Sequence, residues 1–176
     1  GLRCADAIRP MEPVPCAPCP EYRFTELTAA QYAQVYPLEL ALYEHYRQSP
    51  FFMNRTPDSL AAFLQSVREE EARFFAAAKD GQLCAYLKIG KVGENFAAAG
   101  DGYRHVHGAY CLPEHRGRGV YQNLMNTAIR TLKSEGFTSL GVDYETINPT
   151  ARHFWGRHFL PYTASVVRRI DERILK

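Results

Sequence analysis

The chain lacks a long hydrophobic run and lacks a strong excess of charge of either sign. Its 176 residues carry 21 lysines and arginines against 19 aspartates and glutamates, so the formal net charge is +2. So small a charge predicts neither a nucleic acid nor an anionic membrane as a partner. No apolar stretch is long enough to predict a membrane-spanning helix, and no signal peptide is visible.

Cysteines are few and odd in number. Five of them without an export signal favour a reducing compartment, hence a cytoplasmic location, over a disulfide framework. Cys16 and Cys19 have the spacing of a metal or redox motif, but no second pair completes a zinc site, so we predict no metal. Five prolines around this motif favour an extended arm: Pro10, Pro13, Pro15, Pro18 and Pro20. We therefore predict a proline-rich linker or interdomain arm over residues 1–20 and one domain over residues 21–176.

Periodicity and turn residues predict a mixed α/β (α+β) fold after this arm. The expected order is strand, two helices, a three-stranded meander, helix, strand, helix, strand. The expected strands are 22–27, 74–79, 83–91, 103–112, 139–144 and 162–170. The expected helices are 28–48, broken at Pro37, a second one that begins at Pro57, then 120–132 and 149–157. The long helix 120–132 predicts a right-handed crossover between two parallel strands.

The segment Arg116 to Tyr121 carries the strongest functional signal. Two glycines, Gly117 and Gly119, stand between basic side chains where a strand-like run meets a helix-like run. Such a corner leaves backbone N–H groups free to point at one anion, and the helix dipole favours negative charge there. This chemistry suits a pyrophosphate, although a plain turn remains the alternative for so short a motif.

In context, the chain resembles the GNAT-type N-acetyltransferases from about Tyr22 to Ile170. Their acyl-CoA signature is Arg or Gln, two residues, Gly, one residue, then Gly or Ala, and Arg116, Gly119 and Tyr121 occupy those places. A second signature, Asn-x-x-Ala-x-x-apolar-Tyr, is similar to the residues Asn148, Ala151, Phe154 and Trp155.

The resemblance implies acetyl-CoA as cosubstrate and a sheet with two splayed central strands, 103–112 and 139–144. It implies that the ligand contacts the backbone of the first of these strands and that the Ala109 N–H polarises the thioester carbonyl. The residues it assigns to acyl-CoA are Ala109, Cys111, Leu112, Arg116, Gly117, Arg118, Gly119, Val120, Tyr121 and Asn148. For the Cys111 side chain, a buried small hydrophobe is favoured over an acyl-cysteine.

Two departures from the family pattern affect the chemistry. Tyr121 replaces a small residue, which leaves its backbone N–H available to a phosphate. Trp155 replaces a tyrosine that protonates the leaving thiolate in many members, and an indole N–H is not a usable acid. That acid is therefore absent or supplied from elsewhere.

A general base is expected because an amine acceptor arrives protonated near neutral pH. His105 and His107 lie two apart on a strand, hence on one face, and resemble the two histidines of the arylalkylamine acetyltransferase branch. His107 is the first choice; the alternative is that both cap a polar strand edge. Glu145 is a candidate for holding a cationic acceptor, and Tyr46 with residues 51–53 is a candidate for an apolar acceptor loop.

The sequence thus predicts an acetyl-CoA-dependent N-acetyltransferase acting on a primary amine of a small molecule or a protein, by direct attack in a ternary complex. The alternative is a non-catalytic acyl-CoA-binding or regulatory domain, which Trp155 favours. A nucleotide-binding α/β domain fits less well, because its phosphate loop usually follows the first strand. A homodimer, or a preceding domain in a tandem protein, is a further expectation.

Overall fold

A seven-stranded mixed sheet with helices on both faces forms the body of the protein. The structure is a computed structural model that describes residues 2–53, 55–95 and 97–167. Its strands are β1 Leu2–Pro10, β2 Arg23–Glu26, β3 Arg73–Lys79, β4 Gln82–Gly90, β5 Tyr103–Cys111, β6 Ser139–Glu145 and β7 Leu160–Val167. Its α-helices are α1 Tyr36–Arg47, α2 Leu60–Glu69, α3 Val120–Ser134 and α4 Pro149–His158. Short 3-10 helices span Ala29–Val35 and Pro113–His115.

The strand order across the sheet is β2-β3-β4-β5-β6-β1-β7. All neighbouring pairs are antiparallel except β5 and β6, which α3 joins as a crossover. This arrangement confirms the expected mixed α/β fold class, and from β2 onwards the elements follow the expected order. The last strand was expected over residues 162–170; it begins at Leu160, and residues 168–170 lie outside the described part.

Two hydrophobic cores lie on opposite faces of the sheet. On one face, α3 buries Leu124, Ala128 and Leu132, each four residues from the next, against the sheet, and α4 adds Trp155. On the other face, α1 and α2 bury Leu38, Leu42, Phe63 and Val67 against Phe74 and Tyr86 of the sheet. Side chains of β6 alternate, so Val142 and Tyr144 face α3 and α4 while Asp143 and Glu145 face the α1/α2 side.

The structure corrects the expectation that residues 1–20 form a linker, because β1 lies inside the sheet. It pairs with β6 from Cys4↔Glu145 to Pro10↔Ser139 and with β7 on its other edge. This strand is hard to recognise in the sequence because Asp6 and Arg9 are charged, yet both are buried. Each has partners: Asp6 accepts a hydrogen bond from Asn95, and Arg9 donates to the carbonyl oxygen of His158.

The proline-rich segment that follows β1 packs along α3 instead of extending into solvent. Met11, Val14 and Cys19 are buried in the core under α3. The side chain of Asn126 makes two hydrogen bonds with the backbone of Val14, accepting from its N–H at 2.7 Å and donating to its carbonyl at 2.8 Å. This buried amide therefore fixes the position of the segment along the axis of α3.

Replacing this amide provides a test of the segment's role in stability. We expect Asn126→Leu to lower the free energy of unfolding by about 1–3 kcal/mol, because it leaves two buried backbone groups of Val14 unpaired. Urea denaturation measures the change, and Arg130→Ala, an exposed position on the same helix, is the control. Equal stability of both variants would mean that the segment is not held by α3.

Candidate active site

A wedge-shaped gap opens between the two parallel strands in the middle of the sheet. β5 and β6 pair only from Tyr103↔Ser139 to Val106↔Val142. Beyond that point β5 continues along β4 as far as Cys111, and β6 continues along β1 as far as Glu145. The expected splayed strand pair is therefore present, and the backbone edges that face the gap are free of strand partners.

Backbone alternation determines which residues of β5 face this gap. The N–H of Leu112 donates to the carbonyl of Cys84 in β4, and its carbonyl accepts from the N–H of His115. Since successive residues of an antiparallel strand direct their backbone groups to opposite edges, those of Ala109 and Cys111 face the gap. Two of the three backbone positions expected to contact acyl-CoA, Ala109 and Cys111, are thus oriented towards the gap, although the Cys111 carbonyl accepts a hydrogen bond from Arg116. Both backbone groups of Leu112 are engaged within the protein.

The loop after β5 has the backbone geometry of an anion site. Gly117 and Gly119 adopt φ angles of +73° and +79°, and a β-carbon on Gly117 would meet no atom within 4 Å. Gly119 is the N-cap of α3, so the first N–H groups of that helix, including those of Val120 and Tyr121, have no carbonyl partner within the helix. These N–H groups and the helix dipole favour an anion here.

Side chains on both sides hold this loop in place. Arg116 donates from Nε to the carbonyl of Cys111 at 2.8 Å, and its guanidinium lies 5.4 Å from the ring centre of Tyr110. The thiol of Cys19 donates to the carbonyl of Arg118 at 3.1 Å. Asn123 links Gly119 to the N-terminal segment, donating to the carbonyls of both Ala17 and Gly119. The Arg118 side chain itself is exposed.

An aromatic cluster borders the gap on the α3/α4 face. The ring of Tyr121 packs edge-on against Phe154 and Trp155, with ring centres 5.2 and 6.0 Å away. The Tyr121 hydroxyl donates to the carbonyl of Tyr86, and burial raises the pKa of this hydroxyl well above its ordinary value. Asn148 caps α4 by accepting a hydrogen bond from the N–H of Ala151.

On the α1/α2 face, His105 lies in a buried chain of hydrogen bonds. Its Nδ1 is 2.6 Å from the Tyr103 hydroxyl, and its Nε2 is 2.8 Å from Oδ1 of Asp143. A carboxylate only accepts, so Nε2 carries a proton, and in a neutral ring Nδ1 then accepts from Tyr103. His105 therefore has no free nitrogen. Burial alone would raise the pKa of Asp143, but the hydrogen bond from His105 lowers it.

Glycines make room for this chain. A β-carbon on Gly141, which pairs with His105 across the parallel strands, would stand 1.7 Å from the Tyr103 hydroxyl oxygen. A β-carbon on Gly93 would stand 2.7 Å from the His105 ring. The Tyr103–His105–Asp143 chain is thus accommodated by the backbone on two sides.

His107 points towards the end of α2 rather than along the gap. Its Nε2 donates to the carbonyl of Val92 at 2.6 Å, and its Nδ1 is 3.5 Å from a carboxylate oxygen of Glu70. A β-bulge opposite Lys88/Ile89 gives β5 one extra residue at this place. The rings of His105 and His107 remain neighbours, 5.5 Å apart. The structure therefore brings both histidines together, one buried and one partly exposed.

Acidic groups surround the mouth of the gap on the same face. Burial, followed by the charges of Asp143, Glu145, Asp6 and Glu94, raises the pKa of the Cys4 thiol to about 12. Burial likewise raises the pKa of Glu145, whose Oε2 is buried without a hydrogen-bond partner among the described residues. This face is therefore suited to a cation.

Aromatic side chains from the loop after α1 line the same face. Phe51 is buried against Tyr46 and His45, with ring centres 5.5 and 5.2 Å away, and His45 in turn lies near Tyr110 of β5. Phe52 is 73% exposed. Part of the loop expected to recognise an acceptor is therefore core, and part is accessible.

The cysteine motif contacts asparagines of α3. The amide nitrogens of Asn126 and Asn123 lie 3.3 and 3.4 Å from the sulfurs of Cys16 and Cys19. Within the described ranges, no three His, Cys, Asp or Glu side chains are placed to hold a metal ion. Burial raises the pKa of Cys111 to about 12, so its thiolate is scarce at neutral pH.

Sequence reasoning missed Asp143 and Tyr103. Asp143 is a single acidic residue between the apolar Val142 and Tyr144, and such a residue inside a buried strand is a signal in itself, because charged groups are rarely buried without a role. The hydrogen bond between Asp143 and His105 depends on the register of the two strands, which cannot be read from the sequence.

Comparison with known proteins shows the family to which this chain belongs. Residues 40–159 match the profile of the acetyltransferase (GNAT) family. The chain belongs to the GNAT acetyltransferase family. No curated protein sequence matches this GNAT chain.

Solved structures share the fold at low sequence identity. One is a ribosomal-protein-alanine N-acetyltransferase from Brucella melitensis biovar Abortus 2308, with 16% identity, a TM-score of 0.60, and 84% of this chain and 99% of that chain covered. Another is the aminoglycoside 6'-N-acetyltransferase AAC(6')-Ih from Acinetobacter baumannii, with 17% identity, a TM-score of 0.63, and coverage of 85% and 97%.

A third solved structure, a GNAT acetyltransferase from Brucella melitensis in complex with acetyl-CoA, has 16% identity, a TM-score of 0.50, and coverage of 66% and 71%. These likenesses establish the fold.

Among the described helices of this GNAT chain, none has the length and apolarity needed to cross a bilayer.

Proposed function

We propose that this GNAT domain transfers an acetyl group from acetyl-CoA to a primary amine by direct attack in a ternary complex. The observation that carries the proposal is the parting of β5 and β6 beside the glycine loop. The N–H groups of residues 117–121 suit a diphosphate, and the Ala109 and Cys111 backbone edge suits the arm that leads from it to the thioester. The chemistry supplied by acetyl-CoA is an activated acyl group.

The acceptor enters from the α1/α2 face in this proposal. The carboxylates around Cys4 attract a cationic amine, and the rings of Tyr46 and Phe51 provide an apolar wall. General-base assistance comes from the His105/His107 side of β5, as the pattern of the sequence predicts. His107 offers Nδ1 beside Glu70, whereas His105 acts only through its two hydrogen-bond partners. The five cysteines of the chain accord with a reducing, cytoplasmic setting.

Release of free thiol tests the proposal. With acetyl-CoA and phenethylamine, a diamine or a short peptide with a free N-terminus, we expect thiol release that requires both substrates. Intersecting double-reciprocal lines are expected for a ternary complex. The N,N-dimethyl analogue of the reactive amine is the matched control and should release no thiol, because it has no N–H to lose after attack.

The second candidate function is an acyl-CoA-binding or regulatory domain without catalysis. It is favoured by Trp155, a buried indole at the place where many relatives carry an acidic hydroxyl. Thermal stabilisation by acetyl-CoA without thiol release from any amine of the panel would support this candidate and contradict catalysis.

A further inference from the structure

The side chain of Asp143 lies where the strand gap opens, and it is far more exposed than that of His105. Asp143 is the first residue of β6 after Val142, the last residue paired with β5. Its side chain faces the α1/α2 side and keeps 31% of its exposure, whereas that of His105 keeps 2%. A substrate entering from this face therefore reaches the carboxylate before the imidazole.

The two oxygens of Asp143 have different surroundings. Oδ1 accepts the proton on Nε2 of His105 at 2.8 Å, and among the described residues the side-chain donor to Oδ2 is the Cys4 thiol, at 3.8 Å. A thiol is a weak donor, and burial together with the charge of Asp143 holds this one protonated by raising its pKa to about 12. Oδ1 is thus already hydrogen-bonded within the protein, whereas Oδ2 can still accept a hydrogen bond from a stronger donor than the thiol.

We propose that Asp143 is the catalytic base that receives the acceptor ammonium, and that Tyr103 is a positioning residue that acts on Asp143 through His105. The inference rests on the proposed acetyl transfer and changes the assignment of the base within it. Tyr103 donates to Nδ1 of His105, so the ring is held in the tautomer that carries its proton on Nε2. That proton then orients the Asp143 carboxylate towards the gap.

The reaction balances with this assignment. The ammonium R–NH3+ loses one proton to Oδ2 of Asp143, and the nitrogen lone pair forms the C–N bond at the thioester carbonyl. The C–S bond breaks and its electron pair leaves on sulfur, while the second nitrogen proton passes to that sulfur. The products are the N-acetyl amine and free CoA thiol, and Asp143 returns its proton to solvent.

Replacing the carboxyl by an amide tests the catalytic role. With phenethylamine, Asp143→Asn is expected to lower kcat/KM by about 10²-fold, the lower end of the usual contribution of a general base, because the pKa of Asp143 is held low. With β,β-difluorophenethylamine, which is largely unprotonated in slightly alkaline buffer, the same substitution should cost less than about tenfold. If another amine of the panel is the better acceptor, it is paired with its own β-fluorinated analogue.

Two measurements distinguish loss of the base from misfolding of the variant and from failure of the proposed function. Asp143→Asn should retain the thermal shift with acetyl-CoA, and Asp143→Glu, which keeps a carboxylate, should retain more activity than Asp143→Asn. Asp101→Asn, an exposed position, is the control. If the wild type releases no thiol with any amine, the proposed function is contradicted. If the wild type is active and the Asp143→Asn variant is equally active, only the assignment of Asp143 as base is contradicted.

A double-mutant cycle tests the positioning role of Tyr103. Tyr103→Phe removes the donor to His105 and is expected to lower kcat about tenfold with little change in the KM for the amine. In the Asp143→Asn background the same change should have almost no effect on kcat, because the residue through which Tyr103 acts is already lost. An equal loss in both backgrounds would overturn the positioning role.

Discussion

Gly119→Glu is expected to abolish the thermal stabilisation of the protein by acetyl-CoA. A carboxylate about 5 Å from the diphosphate repels each unit of its charge by about 3 kcal/mol at an effective dielectric constant of about 20. That energy corresponds to an affinity loss on the order of a hundredfold, which isothermal titration calorimetry measures directly. The wild-type melting temperature should rise with ligand concentration, because binding to the folded state alone stabilises it.

The position tolerates the larger side chain well enough to keep the fold. A β-carbon on Gly119 would lie 3.6 Å from the Cys19 sulfur, an ordinary contact, so the main cost is the φ of +79°. Gly136→Glu is the matched control, since Gly136 has a φ of +95° and open space but lies beyond the other end of α3. Loss of ligand stabilisation in both variants, or in neither, would contradict the placement of the diphosphate.

Gly141→Ala is expected to lower the free energy of unfolding by about 2–4 kcal/mol. The new methyl group would overlap the Tyr103 hydroxyl, so the ring must move and its hydrogen bond to His105 is lost. Overpacking of a buried site costs about 1–3 kcal/mol, and an unpaired buried polar group adds a further cost of similar size. Urea denaturation with fitted midpoints and slopes measures the change.

A neighbouring strand glycine provides the comparison for this variant. A β-carbon on Gly108 of β5 would lie 3.4 Å from its nearest neighbours, the side chains of Lys88 and Tyr86. Gly108→Ala should therefore change stability by no more than about 0.5 kcal/mol. If Gly141→Ala is as stable as Gly108→Ala, the Tyr103 ring does not lie over Gly141, and the buried chain of hydrogen bonds has a different geometry.

The features that the sequence predicted are those encoded locally. The corner at residues 116–121 carries its own glycines and begins a helix whose apolar residues recur at helical spacing, so both the loop and α3 were predictable. The parted strands follow from the family resemblance and are confirmed by the register of β5 and β6. The hairpin turn at Asp80–Gly81 likewise joins β3 and β4 as its residues indicate.

The features that were missed depend on contacts between distant parts of the chain. Nothing local indicates that Leu2–Pro10 is a strand, because its buried Asp6 and Arg9 are satisfied by groups from the loop before β5 and from the end of α4. Asp143 joins the site only because register brings it beside His105, 38 residues away. His107 was the first choice for the general base, but a β-bulge and a hydrogen bond to the carbonyl of Val92 direct its ring away from the gap.

The position of β1 between β6 and β7 has a consequence for folding. Among the described strands this one is synthesised before all others, yet both of its partners, β6 and β7, are among the last described elements to be made. Pairings between residues so far apart, such as Cys4 with Glu145, require closure of a very long loop, and contacts of this kind slow folding. During translation, β1 can pair with β6 only after residues 139–145 have been made, and with β7 only after α4 has been made.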